Sequence, residues 1–508
     1  MKPLDHCSRA ATAARILLTG LVALSGLCVA STGLAAQCVQ PTSDVVTGAV
    51  LRAQPTTSST RRGTLAPGQS LPFTGSQASW YGVRLTDGTA AYLSKRWTTL
   101  IPCPPAAPTV PPTAAAAGPT PLLAKSHPVG WWFVFKFNAV KFPGCGMNQA
   151  RPQTCAFGGT PKTYSGGGGQ QFVFASSENT QLQQGSGCTG TTEQDPVGAT
   201  YDEIYNGHFH YVVWNDQFKG DPRVPGCSAD CGAGWGHSKG MMAWDDAGNA
   251  IVIQVTTPSW PGAGNQEHPR QSDGNTLGCV IDDNVKFSQH FFSLKLTKAD
   301  LMLSLRALQN ASVGTDATDL QIVSNGGPAD VQALVAQLGH TSTSTRPTID
   351  TLSSGVRLIS KPAALHVPPW HLVSALLGSI SLRTATWWTN PNKIEDTTAA
   401  TPIDCWNDTL PKPGAVSNSA KGIWNGTTFG LVGTAANGNH AKFAVSTDPN
   451  MPLTIFADMN QEGALTGTTT PTGTCKASQN ARGGLFFVLQ DSSLRQSVAA
   501  LVNGDGTP

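Results

Sequence analysis

The sequence predicts a small all-β barrel followed by a larger mixed α/β region made of two similar-sized halves. Short apolar runs separated by turn residues fill positions 38–103, and a stretch rich in Pro and Ala follows at 104–124. From residue 125 onward, strand-like apolar runs are interspersed with segments of helical periodicity. Because 508 residues exceed what one hydrophobic core usually holds, we expect the chain to fold as more than one domain.

The composition argues against a surface dominated by one sign of charge. Charged residues make up 13% of the chain and the formal net charge is +2, whereas charged residues are roughly 25% of typical soluble domains. A nucleic-acid-binding protein of this composition needs a local basic groove, because the chain as a whole has no strong positive field.

The N-terminus has the pattern of an export signal. Basic residues between Lys2 and Arg15 lead into the apolar run 16–30, and mostly small residues follow as far as Ala36. We expect residues 1–36 to be a signal peptide that is removed near Ala36, which predicts a secreted or periplasmic protein without a membrane span. The alternative is a retained membrane anchor, although the apolar run is short for crossing a bilayer.

Cysteine usage agrees with export. The chain has twelve cysteines, and loss of Cys7 and Cys28 with the signal peptide leaves ten, an even number. Exported proteins use such cysteines mainly in disulfides. Cys38 and Cys103 bracket the predicted barrel, and because the termini of a small barrel usually lie close together, we expect these two to be bonded to each other. The alternative is that each pairs elsewhere.

Residues 38–103 carry the signals of antiparallel hairpins. SWYGVRL (79–85) has strand-like alternation, TDGT is a hairpin-type turn, and AAYLS follows as a second strand. VLRAQPTTSSTRRGTLAPGQ (50–69) resembles the first strand, loop and turn of a bacterial SH3-like domain, and WYGVRL resembles the central strand of that family. The resemblance implies a small SH3-like barrel that binds a cell-wall or other surface ligand.

A Pro/Ala-rich linker at 104–124 separates the barrel from the larger region, because such a composition is extended and cannot pack a core. The larger region, 125–508, mixes strands and helices in two halves, at about 125–330 and 346–508. The clearest strand predictions are 130–140, 209–216 and 249–257, and the helix predictions are 297–310, 328–339, 373–380 and 492–504.

Two short patterns carry the chemistry. GHSKG places His237 and Lys239 two residues apart, and NHAKF places His440 and Lys442 in the same relation about two hundred residues later. Residues i and i+2 of a strand face the same side, so each pair should project together at the start of an apolar strand. Two such pairs supply a nucleophile, an acid and two cations, which suits attack on a phosphodiester. The lysines provide the charge that a metal ion would otherwise supply, so we expect no metal and no cofactor.

Polar clusters follow both pairs, QVTTPSW (254–260) after the first and IFADMNQE (455–462) after the second. Together with WWFVFKF, YVVWNDQ and RGGL, these segments resemble the deoxyribonuclease II family of the phospholipase D superfamily over about residues 127–508. The resemblance implies two phospholipase D-like halves of mixed α+β sheets, related by a pseudo-twofold axis, with one active site at their interface. It also implies metal-independent cleavage of DNA that leaves 3′-phosphate ends.

Carried over to this chain, the resemblance places His237 and Lys239 in one half-site and His440 and Lys442 in the other. We predict that His237 is the nucleophile that forms a phosphohistidine and that His440 is the general acid; the reverse assignment stays open. One histidine must be neutral and the other protonated, which favours a pH near or below about 6.5. The predicted contacts to phosphate or substrate are Asn460, Thr256 and Lys136.

The carboxylates that would orient the histidines are Asp245, Asp448 and Glu462. Asp245 and Asp448 each lie six residues beyond the lysine of their pair, and Glu462 belongs to the second polar cluster. Animal members of the family carry a histidine in the strand after the first pair, where this chain has Gln254 and Val255. Any role of that histidine is therefore absent here.

Three alternatives stay open on the sequence. A phospholipase D-like enzyme that acts on lipid would have an exposed apolar rim at its substrate entrance. A non-catalytic surface-binding protein would use only the SH3-like barrel. Cys227 and Cys231 could hold zinc together with His237, although disulfides are the more frequent use of such cysteines in exported proteins.

Overall fold

The chain folds into two compact units, with a boundary between residues 115 and 116. The predicted signal peptide, most of the predicted linker and four of the ten remaining cysteines lie outside the described residues. The computed structural model describes residues 37–45, 48–65, 70–85, 89–103, 118–138, 140–142, 171–187, 189–190, 192–218, 224–227, 230–258, 260–269, 287–433, 438–467 and 474–505.

The small unit is all-β, as predicted for an SH3-like domain. Its strands are β1 (Gln37–Pro41), β2 (Ala49–Arg52), β3 (Arg61–Leu65), β4 (Leu71–Gln77), β5 (Trp80–Arg84), β6 (Ala90–Ser94) and β7 (Thr98–Pro102). They form one sheet in the order β3-β2-β6-β5-β4-β1-β7 around a core that includes Val39, Val83 and Leu93. Among the described strands, β3 and β7 do not pair, so the ladder does not close into the expected barrel. The predicted disulfide between Cys38 and Cys103 is confirmed.

In its described residues, the larger unit contains two large sheets of similar size. The first has the order β10-β9-β8-β14-β13-β12-β11-β15 and is antiparallel throughout. Its strands are β8 (Trp131–Lys136), β9 (Phe172–Ser176), β10 (Gln183–Gln184), β11 (His210–Asn215), β12 (Lys239–Trp244), β13 (Ala250–Val255), β14 (Gln289–Leu296) and β15 (Val323–Ser324).

The second sheet has the order β16-β17-β24-β23-β22-β18-β19, with one parallel pair, β18 and β19. Its strands are β16 (Thr348–Thr351), β17 (Arg357–Lys361), β18 (Leu382–Ala385), β19 (Val416–Asn418), β22 (Phe443–Ser446), β23 (Leu453–Ala457) and β24 (Gly484–Gln490). A separate hairpin joins β20 (Lys421–Trp424) to β21 (Thr427–Gly430). The helices are α1 (Pro196–Tyr205), α2 (Lys298–Asn310), α3 (Ala329–Val335), α4 (Pro369–Leu376) and α5 (Ser492–Leu501).

The two halves repeat the same topology. Along the chain, β8-α1-β11-β12-β13-β14-α2 is followed by β17-α4-β18-β22-β23-β24-α5. In both sheets the corresponding strands take the same order, β8-β14-β13-β12-β11 and β17-β24-β23-β22-β18. The strand register agrees as well. Lys136 at the end of β8 lies opposite Gln289 at the start of β14, and Lys361 at the end of β17 lies opposite Gly484 at the start of β24. The chain therefore has the pseudo-twofold arrangement that the sequence resemblance implies.

Aromatic side chains on the inner faces hold the two sheets together. Along β8, successive residues face opposite sides: the Trp132 indole donates to the Thr200 hydroxyl of α1 at 3.0 Å, whereas Phe133 stacks on Phe456 of the second sheet at 4.2 Å. Phe487 meets Phe292 in the same interface, with ring centres 5.3 Å apart. This burial of both faces explains why WWFVFKF is a continuous apolar run instead of an alternating one.

The helix predictions are correct in part. The predictions at 297–310 and 492–504 correspond to α2 and α5, whereas 328–339 is helical only as far as Val335, and the helix expected at 373–380 already begins at Pro369. Helix α1 was not predicted, although Asp195 caps it by accepting from the Gly198 amide at 2.9 Å. Residues 118–122, which the sequence places in the linker, are instead buried in the larger unit.

The described residues of the larger unit contain two further disulfides, Cys227–Cys231 and Cys405–Cys475. The first excludes the zinc alternative, because both sulfurs are bonded to each other. Within the described part of the chain, no helix has the length and apolarity needed to span a bilayer.

Replacing Thr297 by alanine should lower the free energy of unfolding by about 1 kcal/mol. The Thr297 hydroxyl accepts from the Asp300 amide at 3.3 Å and the Asp300 carboxylate accepts from the Thr297 amide at 3.0 Å, a reciprocal cap at the start of α2. Urea denaturation measures the loss. Thr409→Ala, at an exposed threonine that caps no helix, should change stability by less than about 0.5 kcal/mol; equal effects of the two changes would contradict the capping role.

Candidate active site

The two H-x-K segments meet at the interface between the halves. His237 lies just before β12 and donates its backbone N–H to the Gly483 carbonyl at 2.8 Å, and His440 lies just before β22 and donates to the Ser288 carbonyl at 2.7 Å. Gly483 and Ser288 are the residues that immediately precede β24 and β14. Each histidine is thus tied by the same bond to the residue before the equivalent strand of the opposite half, β24 or β14, which places the two pairs in one site.

Glycines make this close approach possible. A Cβ on Gly483 would lie 2.0 Å from the carbonyl oxygen of Ala311, and one on Gly236 would lie 2.9 Å from the same atom. A side chain at 483 is therefore excluded without movement of the backbone. Glycine is needed at position 240 because of a different contact: a Cβ there would lie 2.5 Å from the Ile253 oxygen of the neighbouring strand.

The ring of His237 is oriented by the backbone of Asp458. Its Nδ1 lies 2.8 Å from the Asp458 carbonyl oxygen, which can only accept, so Nδ1 carries the proton and Nε2 has a free lone pair. Burial holds the pKa of His237 well below its usual value, with the nearby Lys239 acting in the same direction and Asp216 opposing. His237 is therefore a neutral imidazole with a nucleophilic Nε2 at ordinary pH.

Lys239 belongs to a buried ionic network. Its Nζ lies 2.5 Å from Oδ1 of Asp216, and the other oxygen of Asp216 accepts from Nη2 of Arg482 at 2.8 Å. Burial by itself would raise the pKa of Asp216, but the permanent charges of Lys239 and Arg482 outweigh burial and hold it below its usual range. Arg482 also donates to the carbonyls of Trp235 and Gly236, at 3.0 and 2.8 Å. The network fixes Lys239 and the segment that leads into His237.

His440 has an aromatic and an amide neighbour. Its ring stacks on Phe287 with centres 4.6 Å apart, and its Nδ1 lies 3.3 Å from Nε2 of Gln289. The Gln289 oxygen accepts from the hydroxyl of Thr256 at 2.9 Å. When Nδ1 of His440 gains a proton, the Gln289 amide can rotate by half a turn so that its oxygen accepts from Nδ1. The Thr256 hydroxyl allows this rotation because it can donate to the His290 carbonyl instead, at 3.2 Å. Thr256 thus positions His440 through Gln289.

Lys442 differs from Lys239 because no described carboxylate forms a salt bridge with it. Its Nζ donates to the carbonyl of His440. Burial, together with the positive charge of Lys239, lowers the pKa of Lys442 to about 7. The two half-sites are therefore chemically unequal: the first has a neutralised lysine, and the second has a lysine whose charge depends on pH near neutrality.

Asp458 is a site residue that the sequence did not single out. Its carboxylate accepts from Ser238 at 2.6 Å, from Gln254 at 2.9 Å and from the Leu485 amide at 3.1 Å. Burial raises its pKa to about 7. Gly240 and Phe443 occupy equivalent positions, three residues after their histidines, and they pair with Gln254 and Phe456. Two residues beyond those partners lie Thr256 and Asp458, which are therefore counterparts. Asn460 lies two residues further on.

Asn460 and Glu462 lie together in the second half. The Asn460 amide donates to Glu462 at 3.3 Å, and its Oδ1 is buried without a hydrogen-bond partner. Glu462 also accepts from the Thr389 amide at 3.0 Å, and burial raises its pKa. The negative charge of Glu462 tends to raise the pKa of Lys442. These two residues face the second half-site, but neither contacts a histidine ring among the bonds of the described residues.

Three other predicted residues have different surroundings. Asp245 and Asp448 lie in the turns that end β12 and β22, where they accept backbone amides at 2.9 and 2.8 Å. Each is about 26 Å of extended chain from its histidine, and the bonds of each carboxylate to its turn do not support the expectation that it orients a histidine. Lys136 is fully buried at the end of β8, donates to the Phe137 carbonyl at 3.0 Å and lies opposite Gln289 in the ladder.

Family models match parts of both units. A model described as Deoxyribonuclease II matches residues 124–304, and one described as Bacterial SH3 domain matches residues 47–99. The first match contains His237 and Lys239, whereas His440 and Lys442 lie beyond its end. Both families are those that the sequence resembles. A comparison with curated proteins found no match. In the described residues, no group of three or more metal-ligating side chains could hold an ion.

Proposed function

Because residues 124–304 match the deoxyribonuclease II family, we propose that the protein is an exported endonuclease that hydrolyses DNA without a metal ion and leaves 3′-phosphate ends. The observation that carries this proposal is the matched pair of backbone bonds, from His237 to Gly483 and from His440 to Ser288, which assembles both H-x-K segments in one site. The three disulfides of the described residues support export.

In the first step, Nε2 of His237 attacks phosphorus and the bond to the 5′-oxygen breaks. A protonated His440 gives its Nε2 proton to that oxygen, and Lys442 and Lys239 stabilise the charge on the phosphoryl oxygens. The product is a phosphohistidine that carries the 3′-phosphoryl end. In the second step, a water molecule that loses its proton to His440 attacks phosphorus, the bond to nitrogen breaks, and His237 is regenerated.

The protonation states of the two halves support an acidic working range. His237 stays a free base down to low pH because burial lowers its pKa. Lys442 is a cation only below its pKa of about 7, so phosphate binding weakens as the pH rises through that value. We therefore expect kcat/KM to fall above about pH 7 and to hold on the acidic side until His237 is protonated.

Phosphodiester hydrolysis in lipid fits the structure less well. The large hydrophobic residues that are exposed within the described ranges are Val50, Trp97, Val140, Leu320, Ile349 and Met451. None of them belongs to the strand ends that carry His237 or His440, so the described part of these ends has no apolar rim of the kind expected of a lipid enzyme. A purely non-catalytic protein would have no reason to keep both pairs in one buried site.

Incubation of supercoiled plasmid with the mature protein tests the proposal. We expect relaxed and then linear DNA to form in EDTA, with initial rates highest between about pH 4.5 and 6.5. The new 5′ ends should accept phosphate from a polynucleotide kinase directly, whereas the new 3′ ends should be extended by a polymerase only after phosphatase treatment. The double variant His237→Ala/His440→Ala, purified in parallel, controls for contaminating nucleases. Absence of cleavage from pH 4 to 9, or cleavage that EDTA abolishes, would overturn the proposed function.

A further inference from the structure

The basic charge of this protein is concentrated in the small unit. Residues 37–103 contain six Lys or Arg against two Asp or Glu, a net charge of +4, whereas residues 104–508 contain 24 against 28, a net charge of −4. The weak overall charge therefore hides two opposite contributions. A polyanion is attracted to the small unit and receives no net attraction from the chain that carries the histidines.

The cations of the small unit are available for binding. Arg61 and Arg62 are exposed on β3, an end strand of the sheet, and Arg96 is exposed in the turn between β6 and β7. Arg52 lies opposite Arg61 across the β2–β3 ladder. Within the described residues, none of these four arginines forms a salt bridge with a carboxylate.

A cleft with aromatic walls includes one of these cations, Arg52, in its lining. It has a volume of about 380 Å³, and its lining includes Arg52, Trp80, Ser94 and Trp97, with Asp44 as the acidic member. Trp97 is 46% exposed, which is unusual for so large an apolar side chain. The Arg96 guanidinium lies 4.8 Å from the centre of the Trp97 ring, so the ring and the charge are presented together.

Aromatic rings next to arginines that have no carboxylate partner among the described residues match the chemistry of single-stranded nucleic acid, whose bases stack on indoles while its phosphates bind cations. Bases of a duplex are already stacked on each other and cannot enter such a cleft. We infer that the small unit binds single-stranded DNA, with a base against Trp97 in the cleft and phosphates on Arg61, Arg62 and Arg96. This inference rests on the proposed function, because it makes the ligand the substrate of the nuclease.

Binding of a fluorescent 20-nucleotide single strand to the full chain tests the inference by anisotropy. The His237→Ala background keeps the DNA intact, and it serves equally well if the protein proves not to be a nuclease. Arg61→Gln/Arg62→Gln should weaken binding at least tenfold at 50 mM salt and reduce the slope of log Kd against log salt by about 1.4, as expected for two lost phosphate contacts. Trp97→Ala should weaken binding at least about fivefold, and Trp97→Phe should restore most of it.

A matched control removes the same charge elsewhere. Arg306 on α2 and Lys421 on β20 are also exposed, so Arg306→Gln/Lys421→Gln changes the net charge equally and should leave Kd within twofold. The inference is overturned if this control weakens binding as much as the β3 variant, or if Trp97→Ala has no effect. The inference is also overturned if the small-unit variants bind DNA normally but no longer bind purified cell-wall sacculi. Plasmid cleavage by the unmodified protein reports on the nuclease function separately.

Discussion

His237→Ala is expected to lower kcat for plasmid cleavage by at least about 10³-fold, because no other group can form the covalent intermediate. His440→Ala should cause a loss of similar size, because the 5′-oxygen then leaves without a proton. The double variant should lose about as much kcat as either single variant, because the two histidines act as one unit. His127, which is 51% exposed and pairs with Glu178, provides the matched control, and His127→Ala should keep kcat within twofold.

Trapping the intermediate distinguishes the two histidines. With His440→Asn and DNA that is labelled at the scissile phosphate, we expect label on the protein that is stable to alkali and labile to acid, as a phosphohistidine is. A tryptic digest should carry this label on the peptide that contains His237. Label on the peptide that contains His440, seen with His237→Asn, would reverse the assignment, and label on neither would remove the covalent mechanism.

Asp216→Ala is expected to lower the free energy of unfolding by about 3–5 kcal/mol at pH 7, because it leaves the buried Lys239 and the mostly buried Arg482 without their shared counter-ion. Asp216 is 2% exposed, so solvent cannot replace it. Its pKa in the folded protein is below that of the unfolded chain. The stabilisation is therefore complete above the unfolded value of about 3.9 and is lost as the pH falls through the folded value.

Urea denaturation of both proteins at pH 7, 5 and 3.5 measures this effect. The difference between parent and variant should be constant from pH 7 to 5 and begin to shrink only near pH 3.5. Asp246, which is 94% exposed and pairs with His210, is the control, and Asp246→Ala should cost less than about 0.5 kcal/mol. A loss below 1 kcal/mol for Asp216→Ala would mean that the two cations do not depend on this carboxylate.

Local sequence patterns predicted the strands and helices whose formation depends on residues close together in the chain. The apolar runs that follow Lys239 and Lys442 are strands β12 and β22, and the cap at Thr297 marks the start of α2. Helix α1 was missed because its apolar residues are mixed with Gly198 and Thr200, which weakens the periodicity. The end of the linker was misplaced because composition alone does not reveal that residues 118–122 pack against the larger unit.

Spacing from the H-x-K pairs misled the search for carboxylates. Six residues along a strand lead to its far end, where Asp245 and Asp448 shape turns. The carboxylates that do surround the site, Asp216 and Asp458, come from neighbouring strands and have no fixed spacing from the histidines. Asp216 follows β11 and Asp458 follows β23, and only the antiparallel ladders bring those strand ends to the same edge.

Local composition and repeated short patterns were enough to predict the division into an all-β unit and a larger two-part unit, the two H-x-K pairs and one disulfide. Packing of distant segments was needed to show that the two pairs meet, that Asp216 neutralises Lys239 and not Lys442, and that the Asp458 carbonyl selects the tautomer of His237. These properties arise from contacts between segments more than 20 residues apart along the chain, and from the loss of solvent around the charges that those contacts bury.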